Sequence, residues 1–140
     1  MPEIREALAL GLCGSVARGT AGPDSDIDVL VVLPDGHAPA KQEDRWWRAV
    51  RRALAPLGRE VSVLVYTPRA IRRIGNWYVL RLASDSLLLH DTNGQIDALL
   101  RRVRDRALAT GFVERDGGGR PYWEYVGDAS KPWELELAEP

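Results

Sequence analysis

The sequence predicts an α/β (α+β) domain with a mixed β-sheet flanked by helices. Two observations support this class. Short apolar runs alternate along the chain with longer segments whose apolar residues recur at helical spacing. The apolar runs end in glycine, proline and aspartate, the residues that stop strands and begin turns. Strands that alternate with helices in this way are expected to share one sheet.

The strands are predicted where short, mainly aliphatic runs meet turn-forming residues, at 8–13, 27–33, 60–66 and 86–90. The run at 27–33 is almost purely aliphatic and β-branched, and it stops at Pro34-Asp35-Gly36, which is typical of a buried strand. Residues 60–66 first alternate polar and apolar, so the two faces of that strand should meet different surroundings.

Two longer segments are predicted to be amphipathic helices. In residues 41–57 the apolar positions at helical spacing are Trp46, Trp47, Val50, Leu54 and Leu57. In residues 95–109 the positions expected to face inward are Ile96, Leu99, Leu100, Val103 and Leu108. A shorter helix should begin at Thr67-Pro68, with Thr67 as its cap and Pro68 at the first helical position.

The length of 140 residues indicates one domain and one site. We expect residues 1–110 to form the main body. Residues 111–140 should form a hairpin and tail that pack on this body or extend from it, because two strand-like segments flank the glycine run at 117–119.

The charge balance and the cysteine content exclude several classes of function. With 19 basic and 20 acidic residues, the net charge of -1 provides no overall footprint for nucleic acid or for an anionic membrane. Cys13 is the only cysteine, so an internal disulfide and a four-cysteine zinc site are both impossible. Because the sequence shows neither a signal-peptide pattern nor an apolar run of about 18 residues, we expect a cytoplasmic protein that does not enter the membrane.

The segment at residues 14–33 combines two features that suit phosphate and metal chemistry. Gly14-Ser15 follows a strand and opens a helix, so backbone N–H groups and the Ser15 hydroxyl can converge on a phosphate. Asp26 and Asp28 are two residues apart at the start of a strand, so their side chains leave the same face about 7 Å apart. Two carboxylates at the edge of a dry sheet repel each other, and a divalent cation would relieve that repulsion.

Glu60 is the candidate for a third acid. If the strand that begins there pairs beside the one that begins at Ile27, the Glu60 carboxylate would face Asp26 and Asp28. Three acids on two strands can hold two Mg²⁺ ions roughly 4 Å apart.

These motifs resemble the signature of the DNA polymerase β-like nucleotidyltransferase superfamily, in particular its minimal stand-alone members. The resemblance covers residues 8–66 and includes Gly14-Ser15, Ala17-Arg18-Gly19 and Ser25-Asp26-Ile27-Asp28. It implies a palm-like fold, with Gly14 and Ser15 on the triphosphate of a nucleoside triphosphate donor such as ATP. Arg18, in the turn that follows, is a further candidate for phosphate binding. It also implies that Asp26 and Asp28 bind metal and that Glu60 occupies the position of the third acid, where aspartate is commoner.

The expected function is therefore Mg²⁺-dependent transfer of a nucleoside monophosphate, AMP from ATP, to a hydroxyl of a protein or a small molecule. Minimal members of the superfamily include antitoxins that adenylylate a partner toxin and relatives of antibiotic-modifying adenylyltransferases. The alternative is an antitoxin or regulatory binding module of the same fold with little or no catalysis. Under either reading a toxin partner or a homo-oligomer would be compatible with the small size, whereas nucleic acid is not expected as a partner.

Each candidate residue also has a purely structural interpretation. Asp26 and Asp28 could be turn and cap residues, Glu60 could be a solvated strand end, and Arg18 could either contact phosphate or cap its helix. The aromatic residues at 122, 123 and 125 could form a hydrophobic flap or stack on an acceptor ring. Solvated helix faces are the expected location of the arginines at 51, 52, 72, 73, 101, 102, 104 and 106.

Overall fold

The fold is organised around a four-stranded mixed sheet, seen in a computed structural model that describes residues 2–74, 77–118, 121–128, 130 and 135–137. The sheet order is β3–β2–β1–β5. The four strands are β1 (Ala9–Cys13), β2 (Ile27–Val32), β3 (Val61–Tyr66) and β5 (Leu87–Asp91). All four lie within one or two residues of the predicted segments, and the predicted α+β class with a mixed sheet is confirmed.

The directions of the strands bring the sequence motifs to one end of the sheet. Strand β1 is antiparallel to β2 and β5, whereas β2 and β3 are parallel. The pairing on which the assignment of Glu60 depends, between the strand after Glu60 and the strand that begins at Ile27, is therefore present, with Ile27 opposite Val61. Parallel neighbours need a crossover connection. Helix α2 (Pro39–Leu54) provides it, followed by a 3-10 turn at Ala55–Leu57.

Both faces of the sheet are covered, which explains why β2 is aliphatic at every position after Asp28. Leu30 and Val32 belong to the larger core cluster together with the buried residues of the later helices. Val29 and Val31 point to the other face and belong to the cluster that includes Trp46 of α2. Because every residue of β2 after Asp28 is buried, a partly solvated polar side chain fits only near the start of the strand, which is where Asp28 lies.

The predicted helices form, but three residues depart from the predictions: Leu108, Leu57, which is 60% exposed in the 3-10 turn after α2, and Arg72, which is buried and not on a solvated face. In α3 (Pro68–Arg72), the Thr67 hydroxyl accepts a hydrogen bond from the Ala70 N–H at 3.2 Å, as its predicted capping role requires. In α5 (Gln95–Ala109) the expected residues are buried except Leu108, which is 46% exposed. Ala107 continues the buried stripe four residues after Val103, so the prediction for Leu108 was wrong by one position.

Helix α4 (Trp77–Asp85) was not predicted, and it joins the sheet to a C-terminal hairpin. The hairpin pairs β6 (Phe112–Asp116) with β7 (Pro121–Tyr125) in antiparallel register. The Trp123 indole N–H donates to the Leu80 carbonyl at 2.9 Å and to the Ser84 hydroxyl at 2.8 Å. These bonds fix β7 against α4.

Two short strands complete the described fold, β4 (Arg73–Ile74) and β8 (Leu135–Glu136), which pair with each other. Within the part of the chain that the structure describes, no helix combines the length and the apolar character needed to span a membrane.

Candidate active site

A cavity of about 320 Å³ lies where β1 ends and where β2 and β3 begin. The sheet contributes Asp28, Ser62 and Leu64 to its wall, next to Cys13 and Gly14 at the end of β1. Helix α4 contributes the opposite wall, with Tyr78, Arg81, Leu82 and Asp85. The cavity therefore combines two carboxylates and a guanidinium with an apolar part.

Gly14 and Asp28 are in close contact at the floor of this cavity. Gly14 begins helix α1 (Gly14–Arg18) and has a φ of +69°, a left-handed conformation that favours glycine. A Cβ atom at this position would lie 2.4 Å from the Asp28 carboxylate oxygen Oδ2. Two independent reasons therefore favour glycine at position 14: the left-handed backbone conformation and the Asp28 carboxylate, which leaves no room for a side chain.

The surroundings of Asp28 disfavour its negative charge. Burial raises the pKa of this carboxyl, and the neighbouring Asp26 raises it further. Arg81, a hydrogen bond from Ser62 and Arg18 act in the opposite direction but do not cancel the effect. A carboxylate pair that lacks sufficient positive charge is a suitable place for a cation.

Asp26 and Glu60 both lie outside the strands. Asp26 is exposed in the loop directly before β2, and Glu60 is exposed directly before β3. The Glu60 carbonyl accepts a hydrogen bond from the Ile27 N–H at 2.9 Å, so its backbone is fixed next to the start of β2. The residue opposite Asp28 in the parallel register is Ser62. Among the described residues, no three His, Cys, Asp or Glu side chains form a group that could hold a metal ion.

Ser15 and Arg18 lie on α1, and neither is among the described residues that line this cavity. Arg18 donates from Nη1 to Asp85 Oδ2 at 2.9 Å, and both side chains are largely buried, with 16% and 6% exposed. The pair connects α1 to α4. The Arg18 Nε is buried and has no hydrogen-bond partner within the described part of the chain. Ser15 is half-buried, and its carbonyl accepts from the Thr20 N–H at 3.0 Å.

Several residues of the cavity were not identified from the sequence. Tyr78, Arg81 and Asp85 belong to α4, a helix without a strong polar face to reveal it. Ser62 could be identified only through the strand register, because a single serine near the start of an apolar strand carries no functional signal of its own.

We expect the Cys13 thiol to be unreactive in the native protein. Burial, followed by repulsion from Asp28 and Asp85, raises the pKa of Cys13 to about 12. Because the thiolate is the nucleophile, alkylation by iodoacetamide at pH 8 should be negligible in the folded state and fast in denaturant. The contribution of the neutral Cys13 thiol to the free energy of unfolding should be complete below pH 9. It should be lost as the pH rises towards 12, because the thiol of the unfolded chain ionises before that of the folded chain. Rapid native alkylation, measured by mass spectrometry, would contradict this.

A mixed sheet, a glycine turn against a carboxylate and a second acid two residues away are the features that the resemblance in sequence associates with a nucleotide-transferring enzyme. Consistent with this, residues 3–89 match the family model of the nucleotidyltransferase domain, which is more than half of the chain. The chain belongs to the nucleotidyltransferase domain family and is a nucleotidyltransferase. No curated protein matches the sequence.

Solved structures with a similar fold come from toxin–antitoxin systems. One is described as a toxin–antitoxin with AMP-PNP, which is 15% identical with a TM-score of 0.48 over 74% of this chain and 82% of that chain. Another is the toxin–antitoxin MntA-HepT, which is 14% identical with a TM-score of 0.43 over 77% of this chain and 83% of that chain.

Proposed function

We propose that the protein is a Mg²⁺-dependent enzyme that transfers AMP from ATP to a hydroxyl group of a protein or a small molecule. The observation that carries this proposal is the contact between Gly14 and Asp28, where a Cβ atom would lie 2.4 Å from the carboxylate. Because Gly14 has no side chain, its backbone and the Asp28 carboxylate lie side by side on the wall of the first cavity, where a phosphate and its metal could approach both.

In this proposal the residues have two tasks. Asp26 and Asp28 would hold the metal, with the exposed Glu60 as the third candidate ligand, while Gly14, Ser15 and Arg18 would bind the triphosphate. The side chains fit a cation, because Asp28 is partly desolvated and repelled by Asp26. Mg²⁺ typically binds through one or two carboxylates and completes its shell with water and phosphate oxygens, so two firm protein ligands are sufficient.

The proposed reaction is an in-line displacement at the α-phosphate, with pyrophosphate as the leaving group. When bound, Mg²⁺ supplies electrostatic stabilisation of the attacking and leaving oxygens. The protein contributes mainly by holding the two substrates in line. Arg18, held by Asp85 at 2.9 Å, is a fixed positive charge beside the motif and is suited to a phosphate oxygen.

The direct test is to incubate the purified protein with Mg²⁺ and ATP labelled at the α-phosphate, with cell lysate as the source of acceptor. We expect label on a protein or a small molecule and none when EDTA is present. ATP labelled at the γ-phosphate is the control, since its label should leave with pyrophosphate. Failure to transfer α-label to any fraction would refute the proposed activity.

Replacement of Glu60 by Gln should reduce transfer strongly, by about 10²-fold, if its carboxylate binds the metal. Ser62 is the matched comparison, because it lies opposite Asp28 and hydrogen-bonds to it but carries no charge. We expect Ser62→Ala to cost only about 1 kcal/mol, or roughly five-fold in rate, the value of one neutral hydrogen bond. Initial rates at saturating and limiting Mg²⁺ measure both effects. Normal activity of Glu60→Gln would remove Glu60 from the site.

A further inference from the structure

A second cavity of about 390 Å³ adjoins the first and is outside the metal site described above. Arg81 lines both cavities. Arg18, which lines the second cavity, forms an ion pair with Asp85, which lines the first. The remaining walls come from α4 and β7, with Trp77, Pro121, Tyr122 and Trp123. The C-terminal hairpin therefore builds a compartment next to the proposed site of phosphate transfer.

The charge of this second cavity is opposite to that of the first. Arg18 and Arg81 line it, and none of the described residues around it carries a carboxylate, whereas Asp28 and Asp85 line the first cavity. Only one nitrogen of Arg18 is bonded to Asp85, and its buried Nε has no hydrogen-bond partner in the described part of the chain. Arg18 therefore contributes positive charge to this cavity, and the exposed Arg81 is the residue placed to donate to an anion. A cationic acceptor would be repelled here.

The aromatic residues of the second cavity present partly exposed rings on a fixed frame. Trp77 and Tyr122 are 43% and 47% exposed. Trp77 packs edge-on against Phe112, with the ring centroids 5.5 Å apart. Trp123 is buried and bonded to α4, so the β7 wall cannot easily move away. Aromatic rings beside arginines are the surroundings in which a nucleobase stacks.

We propose that this second cavity is the acceptor subsite and that its ligand is a free nucleoside monophosphate. The proposal rests on the transferase function proposed above, since a reaction of two substrates needs two adjoining sites. The volume of about 390 Å³ is within the range of small-ligand pockets and suits a single nucleotide. The net charge of -1 provides no basic track for a longer polyanion.

The chemistry of this transfer balances without a further reactant. A ribose hydroxyl oxygen of the bound monophosphate forms a bond to the α-phosphorus of ATP. The bond from that phosphorus to the oxygen bridging to the β-phosphate breaks, and pyrophosphate leaves with the bonding electrons. The hydroxyl proton is lost to solvent. The product is a nucleotide that carries a second nucleoside monophosphate through a phosphodiester.

Calorimetric titration of the whole protein with AMP and with GMP, without Mg²⁺, tests the subsite independently of catalysis. We expect Tyr122→Ala and Arg81→Gln each to weaken binding by about ten-fold or more. Val126→Ala, an exposed position just after β7, and Arg101→Gln, an exposed arginine of α5, are the matched controls and should bind as the wild type does. Thermal unfolding of each variant verifies that the fold is retained.

Three results with monophosphates, and one with an oligonucleotide, would overturn the proposal. The first is absence of binding of either monophosphate to the wild-type protein, and the second is equal weakening by the control variants. The third is displacement of the monophosphate by a non-hydrolysable ATP analogue with Mg²⁺, because the cavity would then belong to the donor. A short oligonucleotide that binds more tightly than AMP and GMP would likewise overturn the assignment to a free nucleotide.

The failure of this inference is distinguishable from the failure of the proposed function. If α-label is transferred in lysate but the purified protein binds no monophosphate, only the acceptor subsite is refuted. If monophosphates bind as expected but no α-label is ever transferred, the proposed transfer activity is refuted, and with it the role of the cavity as an acceptor subsite.

Discussion

Replacement of Asp28 by Asn is expected to reduce nucleotide transfer by at least about 10³-fold, equivalent to roughly 4 kcal/mol of transition-state stabilisation. The reason is that Asp28 is the acid closest to the glycine turn, and an amide cannot supply the charge that a cation requires. Rates of α-label transfer under single-turnover conditions measure the loss. We expect the same outcome for Asp26→Asn.

The fold should survive these two substitutions. Burial and Asp26 raise the pKa of Asp28, which means that folding disfavours its charged form. A neutral amide at this position should therefore leave the midpoint of thermal unfolding unchanged or slightly higher at pH 7. Asp105→Asn, at an exposed position of α5 away from both cavities, is the control for loss of one carboxylate. Turnover of Asp28→Asn at the wild-type rate would refute the assigned role.

Replacement of Gly14 by Ala should also eliminate most of the activity, by about 10²-fold or more. Its φ of +69° costs an L residue about 1–2 kcal/mol, and the added methyl would meet the Asp28 carboxylate at 2.4 Å. Either the carboxylate or the turn must shift, and a misplacement of about 1 Å near reacting groups can cost that much in rate. Transfer rate and unfolding free energy should be measured together.

The matched control for this variant is Gly94→Ala. Gly94 has a φ of +67°, nearly the same as that of Gly14, but a Cβ atom there would have nothing within 4 Å. Both variants should lose a similar free energy of unfolding from backbone strain, whereas only Gly14→Ala should lose activity. Equal activity in the two variants would show that the contact with Asp28 has no functional importance.

The predictable parts of the fold have a pattern that is visible in the sequence itself, either an aliphatic run or a helical repeat of apolar residues. Strand β2 is aliphatic because both of its faces are buried, and α5 repeats its apolar residues every three or four positions. Helix α4 lacks such a signal. Its sequence WYVLRLASD begins with aromatic and β-branched residues that are common in strands, and its length of 9 residues gives little periodicity.

The candidate site was predictable to the extent that it is local in the sequence. Gly14 and Asp28 lie in one motif, and the structure places them in contact. The α4 wall with Arg81 and the hairpin wall with Tyr122 depend on how distant segments pack, and the sequence provides no measure of that. Ser62 is opposite Asp28 only because of the parallel register, which a single residue type cannot indicate.

The parallel pairing of β2 with β3 affects when the protein can become active during synthesis. Asp28 leaves the ribosome well before Ser62, and the crossover through α2 must close a loop of about thirty residues before the strands meet. The hairpin that carries Tyr122 follows later still. A nascent chain therefore passes through lengths at which the acidic motif is exposed but its neighbouring strand is missing.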